Sequence, residues 1–398
     1  MKGKSLIVLA PGHNEIDRRV NRTIDVFSKK FDRIVLIYES RSSLKGTFAF
    51  PNNVSVLYVD NTTPKFRALP QLTPFIHVIR DNNLSVDNVY IHDSGLLGLL
   101  LANRLRKLYG DGPKISLDYH DFVHWEVHYQ LGKFIKRSVV NKLIGSLLLS
   151  IFAFYFRRNK GCMINGAVGI SKAQVVSLLD WLGNCRGLDY ISIPNTREKL
   201  KSGMEIGDYP DGSSDFLWIG NIVNGRDLPE TLLYLDELAK IHDFKLYVFG
   251  KVVSEEVFKL LSAKPYFVYM GEFKQDLDMV EVCQSKKIIG LFFGWDDKYR
   301  VGINEISSPN KVYSYVNLGI PVLLHQKVNP SAFDSEYKIG KTFNDFEGFK
   351  QSYELVSGSY GAYKDLVLNS KENFVWETDL EATLSQFVDK VYFGASNV

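Results

Sequence analysis

Short runs of consecutive apolar residues alternate with amphipathic segments along most of the chain. In the first half these runs are SLIVLAP, RIVLIYE, VSVLYVD, NVYIHD, KISLDYHD, GAVGIS and YISIPN. Because they are continuously apolar and do not alternate with polar residues, they predict strands that are buried on both faces. Such strands are typical of a parallel sheet with helices packed on each side.

The same alternation of apolar runs and amphipathic segments is found in the second half, where the runs are FLWIGNI, KLYVFGK, FVYMGEF, IIGLFFG and IPVLLHQ. Helical segments such as PETLLYLDELAKIH, SEEVFKLLSA and LDMVEVCQS separate them. Between the two series lies TREKLKSGMEIGDYPDGSSD, which is polar and rich in turn residues and suits a linker. The pattern predicts two doubly wound α/β domains, residues 1–200 and 201–375, with a C-terminal helix in 376–398 packing back on the first.

Length and composition support this division and narrow the function classes. A chain of 398 residues exceeds the usual size of one hydrophobic core, and a net charge of +3 is too small for a nucleic-acid-coating protein. The cysteines Cys162, Cys185 and Cys283 are odd in number and far apart, so we expect neither a disulfide nor a zinc site. The N-terminal apolar run is short and suits a first strand rather than a signal peptide, so we expect a cytoplasmic protein.

Ligands of open parallel sheets bind beyond the carboxyl ends of the strands. In the first domain the polar and glycine residues at these positions are Gly12, His13, Asn14, His92, Asp93, His120, Asp121 and Asn195. In the second they are Gly220, Asn221, Arg226, Gly250, Lys251, Gly271, Glu272 and 307–311. The segment GHNEID after the first strand lacks the glycine spacing that dinucleotides need, which disfavours an NAD-dependent oxidoreductase.

The stretch SSPNKVYSYVNLGIPV has the features of a short, well-capped helix. Ser308 is a good N-cap, Pro309 suits the first helical position, and Gly319 suits the position after the last turn. The first turn carries Lys311 and no acid, so free N–H groups and an ammonium could converge on one phosphate. An ordinary capped helix with a solvated lysine is the alternative.

Residues 133–160 carry seven Lys or Arg and no acid around an apolar run from Leu143 to Phe156. This run is too short to span a bilayer, which needs about 20 residues. It predicts an interfacial helix on an anionic membrane surface. The alternative is a helix packed inside the first domain with its basic residues solvated.

Several of these stretches, taken in order, resemble one enzyme family. SSPNKVYSYVNLGIPVLLH resembles the signature helix of GT-B glycosyltransferases of the GT4 type. ISLDYHDFVHWE is similar to their Asp-x-His-Glu loop, and FLWIGNIVNGRDL to the Gly and Arg that open their C-domain. The resemblance implies a GT-B architecture, in which two Rossmann-like domains face a central cleft.

The resemblance also implies how the donor is held. Arg226 and Lys311, with the amides of Ser308 to Asn310, would bind the diphosphate of a nucleotide-sugar. Two cations and a helix N-terminus can replace a metal, and we expect neither metal nor cofactor. The one Asp-x-Asp, Asp276-Leu277-Asp278, stands where a helix begins, so we interpret it as first-turn acids.

The chain departs from the family pattern in three respects. The family usually has a Glu that binds the ribose hydroxyls where this chain has Ser314, and Glu305 is the substitute for a second Glu that contacts the donor sugar. Lys251 could compensate for a missing second basic residue. Gly220, Asn221 and Glu272 complete the predicted donor site.

In the first domain, His120 or its neighbour Asp121 would orient the acceptor hydroxyl or accept its proton. The alternative is that His120 only forms hydrogen bonds with the backbone of its own loop. Gly12, His13, Asn14 and Arg19 would line the acceptor side of the cleft, although a solvated helical arginine is equally consistent with the position of Arg19.

The resemblance thus implies a retaining transfer from a nucleotide-diphosphate sugar to a saccharide acceptor, including a polyprenyl-linked one, in the synthesis of bacterial capsule, lipopolysaccharide or exopolysaccharide. The enzyme would be cytoplasmic or peripheral on the inner face of the membrane. A nucleotide-sugar 2-epimerase and a non-catalytic nucleotide-sugar-binding protein are the alternatives.

Overall fold

The computed structural model of the chain divides it into two compact units. Unit 1 comprises Met1–Pro194 together with Asp379–Val398, and unit 2 comprises Asn195–Thr378. The structure describes residues 4–11, 13, 17–40, 49–60, 72–93, 95–119, 127, 131, 138–158, 162–183, 185, 188–194, 196, 200, 212–223, 228–273, 275–294, 310–328, 339–376 and 379–394.

Unit 1 is built on a seven-stranded parallel sheet with the order β3-β2-β1-β4-β5-β6-β7. The strands are β1 (Ser5–Ala10), β2 (Arg33–Ser40), β3 (Val54–Asp60), β4 (Asn88–Asp93), β5 (Lys114–Tyr119), β6 (Gly166–Gly169) and β7 (Tyr190–Ser192). The chain builds the sheet outward from β1 to β3 and then returns to place β4 on the other side of β1. The direction of winding therefore reverses between β1 and β4.

The helices of unit 1 cover both faces of this sheet. They are α1 (Arg18–Ser28), α2 (Leu72–Asp81), α3 (Leu96–Tyr109), α4 (Ser138–Arg157) and α5 (Lys172–Leu182). Ile7 and Leu9 of β1 belong to a core cluster that includes Leu99 of α3, whereas Leu6 and Val8, one residue out of phase, are equally buried. Burial of both sets explains why the strand sequences are continuously apolar.

Unit 2 contains a six-stranded parallel sheet with the order β10-β9-β8-β11-β12-β13. The strands are β8 (Asp215–Ile219), β9 (Leu246–Phe249), β10 (Phe267–Gly271), β11 (Ile288–Phe292), β12 (Val322–His325) and β13 (Gly340–Phe343). Winding reverses here between β8 and β11. By the general rule for doubly wound sheets, the crevice beyond these two strand ends is the expected ligand site.

Helices cover both faces of the second sheet as well. They are α6 (Leu228–Leu238), α7 (Glu255–Ser262), α8 (Val280–Ser285) after a 3₁₀ turn (Asp276–Met279), α9 (Asn310–Asn317), α10 (Phe346–Gly358) and α11 (Tyr360–Ser370). Leu217 of β8 packs with Val316 of α9 on one face, and Phe216 packs with Leu235 and Phe349 on the other. The two predicted doubly wound sheets are confirmed.

The C-terminal helix α12 (Asp379–Val388) belongs to unit 1. The carboxylate of Asp389, at the end of this helix, accepts from Lys30 just after α1 at 2.7 Å. The hydroxyl of Tyr392 donates to the carbonyl of Val89 in β4 at 2.9 Å, and the Phe387 ring packs against Gly166 of β6.

Three features correct the sequence analysis. Strand β13 was not predicted, because GKTF is short and carries polar residues at the edge of the sheet. The expectation of no disulfide is wrong: Cys162 and Cys185, 23 residues apart, are joined across the ends of α4 and α5. The third is helix α4, which extends beyond the predicted apolar run, so that Val139–Arg157 is long and apolar enough, by length and composition alone, to cross a membrane.

Candidate active site

Seven of the residues predicted to form the site lie outside the residues that the structure describes. These are Gly12, Asn14, His120, Asp121, Arg226, Glu305 and Ser308. Their predicted roles in holding the diphosphate, the donor sugar and the acceptor stay predictions.

Lys311 lies in the first turn of α9, next to the point where the winding of the second sheet reverses. Its Nζ lies 3.7 Å from the ring centroid of Trp218 in β8 and 5.4 Å from that of Phe292 at the end of β11. The side chain is only 8% exposed, so the alternative of a solvated lysine is wrong. Because aromatic faces attract a desolvated cation, the ammonium is held at a fixed place beside the switch point of the second sheet.

Tyr315 anchors α9 to β8 and β11, the two strands at the switch point. Its hydroxyl donates to the carbonyl of Leu291 at 2.9 Å and accepts from the amide of Ile219 at 3.3 Å. Gly290 of β11 makes room for the ring, since a Cβ there would lie 2.5 Å from the nearest ring atom. These contacts of Tyr315, one turn after Lys311, fix the position of α9 and therefore of the lysine.

The carboxyl end of α9 has the predicted cap. Gly319 adopts a left-handed conformation with φ +67, and its amide donates to the carbonyl of Val316 at 2.9 Å. The amide of Ile320 donates to the carbonyl of Tyr315 at 3.1 Å. These two hydrogen bonds form a Schellman motif, which only a residue tolerant of positive φ can complete cheaply.

Ser314 has an internal role in unit 2. It is fully buried and donates to the carboxylate of Asp276 at 3.0 Å, and Asn317 donates to the other oxygen of that carboxylate at 3.0 Å. Asp276 and Asp278 lie in the first turn of the 3₁₀ segment, which confirms the interpretation of the Asp-x-Asp. Ser314 joins α9 to this turn, and we do not retain it as a group that contacts the donor.

Glycines end three neighbouring strands of the second sheet. Gly220, Gly250 and Gly271 follow or close β8, β9 and β10 with φ values of +136, +155 and +91. A Cβ on Gly250 would lie 2.0 Å from the carbonyl oxygen of Gly220, so these two backbones approach as closely as glycine allows. The polar residues beside them, Asn221, Lys251 and Glu272, are exposed, as is Asn310.

The corresponding edge of unit 1 holds a cluster of charged and imidazole side chains. His13 follows β1, and its Nδ1 lies 2.7 Å from an oxygen of Asp17. The other oxygen of Asp17 accepts from the amides of Arg19 and Val20, so that Asp17 is the N-cap of α1. Burial opposes ionisation of Asp17, but the hydrogen bond from His13 and the nearby imidazoles outweigh it, and the pKa of Asp17 lies well below its usual value.

A buried ion pair lies directly behind this pair. Arg19 donates through Nε and a terminal nitrogen to both oxygens of Asp118 at 3.1 and 2.7 Å, and to the carbonyl of Ile193 at 2.8 Å. The alternative of a solvated helical arginine is therefore wrong. Burial would raise the pKa of Asp118, but the positive charge of Arg19 dominates and the pKa is well below its usual value.

His92 of β4 connects the two groups. Its Nδ1 lies 2.9 Å from Asp118, and its ring meets that of His13 edge to face with centroids 4.7 Å apart. Burial lowers the pKa of His92 although Asp118 partly offsets this, so the imidazole is neutral near pH 7.

Sequence reasoning placed His13 and His92 at strand ends but missed Asp17 and Asp118. The N-cap position of Asp17 before an amphipathic helix was a usable signal, whereas the pairing of Asp118 with Arg19 joins residues far apart in the chain. One donor atom each from His13, Asp17 and His92 lies within 4.8 Å of the others. The first pair shares a hydrogen bond and His92 contacts Asp118, so these groups form one connected network of titratable side chains.

No family model matches the sequence, and no curated protein matches it. Solved structures do resemble it over nearly the whole chain. The lipopolysaccharide outer core galactosyltransferase WaaB has a TM-score of 0.63 at 13% identity, with 98% of this chain and 99% of that one covered. Anabaena Alr3699/HepE, solved with UDP and glucose, has a TM-score of 0.62 at 11% identity, with 98% and 100% covered.

WaaG, a glycosyltransferase involved in lipopolysaccharide biosynthesis, has a TM-score of 0.60 at 10% identity, with 97% of this chain and 99% of that one covered. At such low identity the likeness concerns the fold. The chain has the GT-B fold of these glycosyltransferases, with one doubly wound parallel sheet in each of its two units.

Proposed function

We propose that this protein is a glycosyltransferase that moves a sugar from a nucleotide-diphosphate sugar to a saccharide or lipid-linked saccharide, with retention and without a metal ion. The observation that carries the proposal is the position of Lys311, a buried cation fixed on Trp218 at the switch point of the second sheet. A nucleoside diphosphate leaving group gains negative charge as the sugar departs. A preorganised cation in a dry crevice stabilises that charge more in the transition state than in the bound donor.

Other predicted residues extend the site along the same edge. Arg226 is proposed as the second cation, with the amides of 308–310 on the same diphosphate. Gly220 lets the donor approach the backbone closely, while Asn221, Lys251 and Glu272 follow the same strand ends and are exposed to a ligand. HepE has been solved with UDP, and this makes a uridine nucleotide the first to test.

A thermal-shift screen with UDP, GDP, ADP and dTDP tests the donor site. A ligand at 100 times its Kd should stabilise the wild type by about 2.7 kcal/mol. Lys311→Met removes the charge and keeps the buried stem, so it should fold and lose most of this response. Lys259→Ala, an exposed lysine of α7, is the matched control and should keep it.

An undiminished response in the Lys311→Met variant would remove this lysine from the site. A thermal shift with a nucleoside diphosphate in a protein that transfers no sugar would favour the non-catalytic, nucleotide-sugar-binding alternative. Formation of an epimer from nucleotide-sugar alone would favour the 2-epimerase.

We further propose that unit 1 docks on an anionic membrane surface, where a polyprenyl-linked acceptor would be presented. One face of α4 packs on the unit through Leu149, Ala153 and Phe156. The opposite face exposes an apolar row whose members are 52–68% exposed: Leu143, Leu147, Ile151 and Phe154. A helix fixed to the globular unit along one face is better suited to lie in the interface than to span the bilayer.

The basic residues of 133–160 would add about 1 kcal/mol each on anionic lipid. Arg157 contributes less than its charge implies, because its guanidinium donates to the carbonyls of Asp180 and Trp181 at the end of α5. Arg158 is exposed and lies over the Phe154 ring, at the end of the apolar row. On this proposal the protein is cytoplasmic and peripheral.

Flotation with phosphatidylglycerol and phosphatidylcholine vesicles tests the docking. We expect the wild type to float with the anionic vesicles and the variant Leu147→Glu/Phe154→Glu to remain in the unbound fraction. Leu233→Glu, at an equally exposed leucine on α6 of unit 2, is the control and should float. Equal flotation of all three proteins would contradict the assignment of α4.

A further inference from the structure

Three side chains of kinds that bind transition metals meet at one edge of unit 1. His13 lies in the turn after β1, Asp17 is the N-cap of α1, and His92 belongs to β4. One donor atom of each side chain lies within 4.8 Å of the donor atoms of the other two. Two imidazoles and one carboxylate, with a fourth position left for water, are a ligand set that zinc accepts.

The contact behind His92 determines which of its nitrogens can ligate an ion. Its Nδ1 lies 2.9 Å from an oxygen of Asp118, and a carboxylate accepts a hydrogen bond, so Nδ1 carries the hydrogen and Nε2 is the ligand atom. Asp118 is itself held by Arg19, which donates to both of its oxygens. Most metal-bound histidines donate through their second nitrogen in this way, which fixes the orientation of the ring.

Hydrogen bonds orient Asp17 as well. One of its oxygens accepts from the amides of Arg19 and Val20 at 2.9 and 3.3 Å, and the other oxygen lies 2.7 Å from Nδ1 of His13. The His13 ring meets the His92 ring edge to face, with centroids 4.7 Å apart. The three ligands are therefore held close together before an ion arrives.

We propose that His13, Asp17 and His92 bind one divalent transition-metal ion, and that zinc matches the site best. The ion takes the place of the hydrogen between Nδ1 of His13 and Asp17, and this hydrogen moves to Nε2 of the same ring. A water molecule is the fourth ligand. Because two of the protein ligands are imidazoles, the site should prefer zinc, cobalt, nickel or copper to magnesium and calcium, which select oxygen ligands.

The donor atoms need only small movements to reach coordination distances. Zinc bonds of about 2.0–2.1 Å place tetrahedral ligand atoms about 3.3 Å apart. The 2.7 Å between Nδ1 of His13 and Asp17 must therefore widen by about 0.6 Å, and the widest separation, which is within 4.8 Å, must close by at most about 1.5 Å. His13 and Asp17 are 14% and 30% exposed, whereas His92 is 1% exposed, so the outer pair can adjust around the fixed His92 and the ion enters from their side.

A bound ion would join three segments of unit 1, which are the turn after β1, the start of α1 and the strand β4. It would therefore stabilise unit 1 at the point where the winding of its sheet reverses. All three ligands belong to this unit, so the site is complete without unit 2. The ion is not a cofactor of the proposed transfer, and neither this site nor its test depends on the proposed function.

Titrations of the full chain with Co²⁺ and Zn²⁺ test the site, with protein that carries no affinity tag and has been dialysed against a chelator. Co²⁺ should bind at one ion per chain and give the visible absorption bands of a tetrahedral cobalt ion. Zn²⁺ should remove these bands and Mg²⁺ should not. Hydrogen exchange of peptides from β1 and β4 should become slower when Zn²⁺ is bound, because the ion joins these segments.

Two variants remove a ligand without removing a packed side chain. Asp17→Asn keeps a residue that can cap α1, and His13→Gln replaces a partly exposed ring. Asp118→Asn, which changes the group behind His92, should weaken zinc binding by about 10–100-fold, and each of the two ligand variants should weaken it more. His77→Gln, at an exposed histidine of α2, is the matched control and should bind zinc within twofold of wild type.

Three results would overturn the proposal. Cobalt bands that persist in His13→Gln and Asp17→Asn would place the ion elsewhere on the chain. Equal zinc affinity of the wild type and His13→Gln would have the same meaning. Hydrogen exchange in β1 and β4 that zinc leaves unchanged would show that no ion joins these segments.

Discussion

The buried pair of Arg19 and Asp118 makes a stability prediction that does not depend on function. Arg19 donates three hydrogen bonds of 2.7 to 3.1 Å, two of them to a carboxylate that is 1% exposed. Arg19→Met leaves that charge buried beside uncharged groups, the His92 imidazole and the Tyr90 hydroxyl. Removing one partner of a buried pair typically costs about 3–5 kcal/mol.

For a unit of about 200 residues, each kcal/mol lowers Tm by about 2–4 °C, so we expect a fall of about 6–20 °C. The double variant Arg19→Met/Asp118→Leu should lose less than the sum of the two single variants, because no unpaired charge is left. Urea denaturation measures these differences, and hydrogen exchange of peptides from β1, β4 and β5 reports unit 1 separately. A single variant that costs under 1 kcal/mol, or strict additivity, would refute the reasoning.

The sign of the pH dependence follows from the depressed pKa of Asp118. The unfolded chain takes up the proton first as pH falls, so the contribution of the pair is complete above the ordinary carboxyl pKa of about 4. It is then lost as pH falls further through the folded-state pKa. The difference in unfolding free energy between wild type and Asp118→Asn should be constant from pH 6 to 8 and shrink below pH 4.

Three further predictions concern other parts of the fold. Gly290→Ala places a Cβ 2.5 Å from the Tyr315 ring and should lower the unfolding free energy of unit 2 by about 1–3 kcal/mol, measured by urea denaturation. Reduction of the Cys162–Cys185 disulfide, which closes a loop over 23 positions, should cost about 3 kcal/mol, measured as a fall in Tm with dithiothreitol. Phe387→Ala removes a 4% exposed ring between α12 and the sheet and should cost about 3–5 kcal/mol, visible as faster hydrogen exchange in β6.

Each of these has an outcome that would contradict it. A Gly290→Ala protein with wild-type stability would mean that Tyr315 can repack without loss. A Tm that is insensitive to dithiothreitol while free thiols rise by two would show that the disulfide adds no stability. Unchanged exchange in β6 of Phe387→Ala would separate α12 from the stability of unit 1.

The candidate site shows which features can be predicted from neighbouring residues in the sequence and which cannot. The pattern around Ser308 and Gly319 was sufficient to predict a short helix ending in a left-handed glycine, because caps are set by nearest neighbours. It could not show that Lys311 lies on Trp218, or that Ser314 turns inward to Asp276. These contacts join segments that the chain brings together only when the sheet has formed.

The sequence by itself determined the strands and the class of fold, because continuous apolar runs can be buried only in a sheet that is covered on both faces. Strand β13 was not predicted from the sequence, because an edge strand has one open side and needs no continuous apolar run. Only the tertiary structure decided that Arg19 pairs with Asp118, that Cys162 meets Cys185 and that His13 lies between Asp17 and His92. The physical reason is that the energy of a charge, a thiol or an imidazole depends on the group a few ångströms away, and distance along the chain does not specify that group.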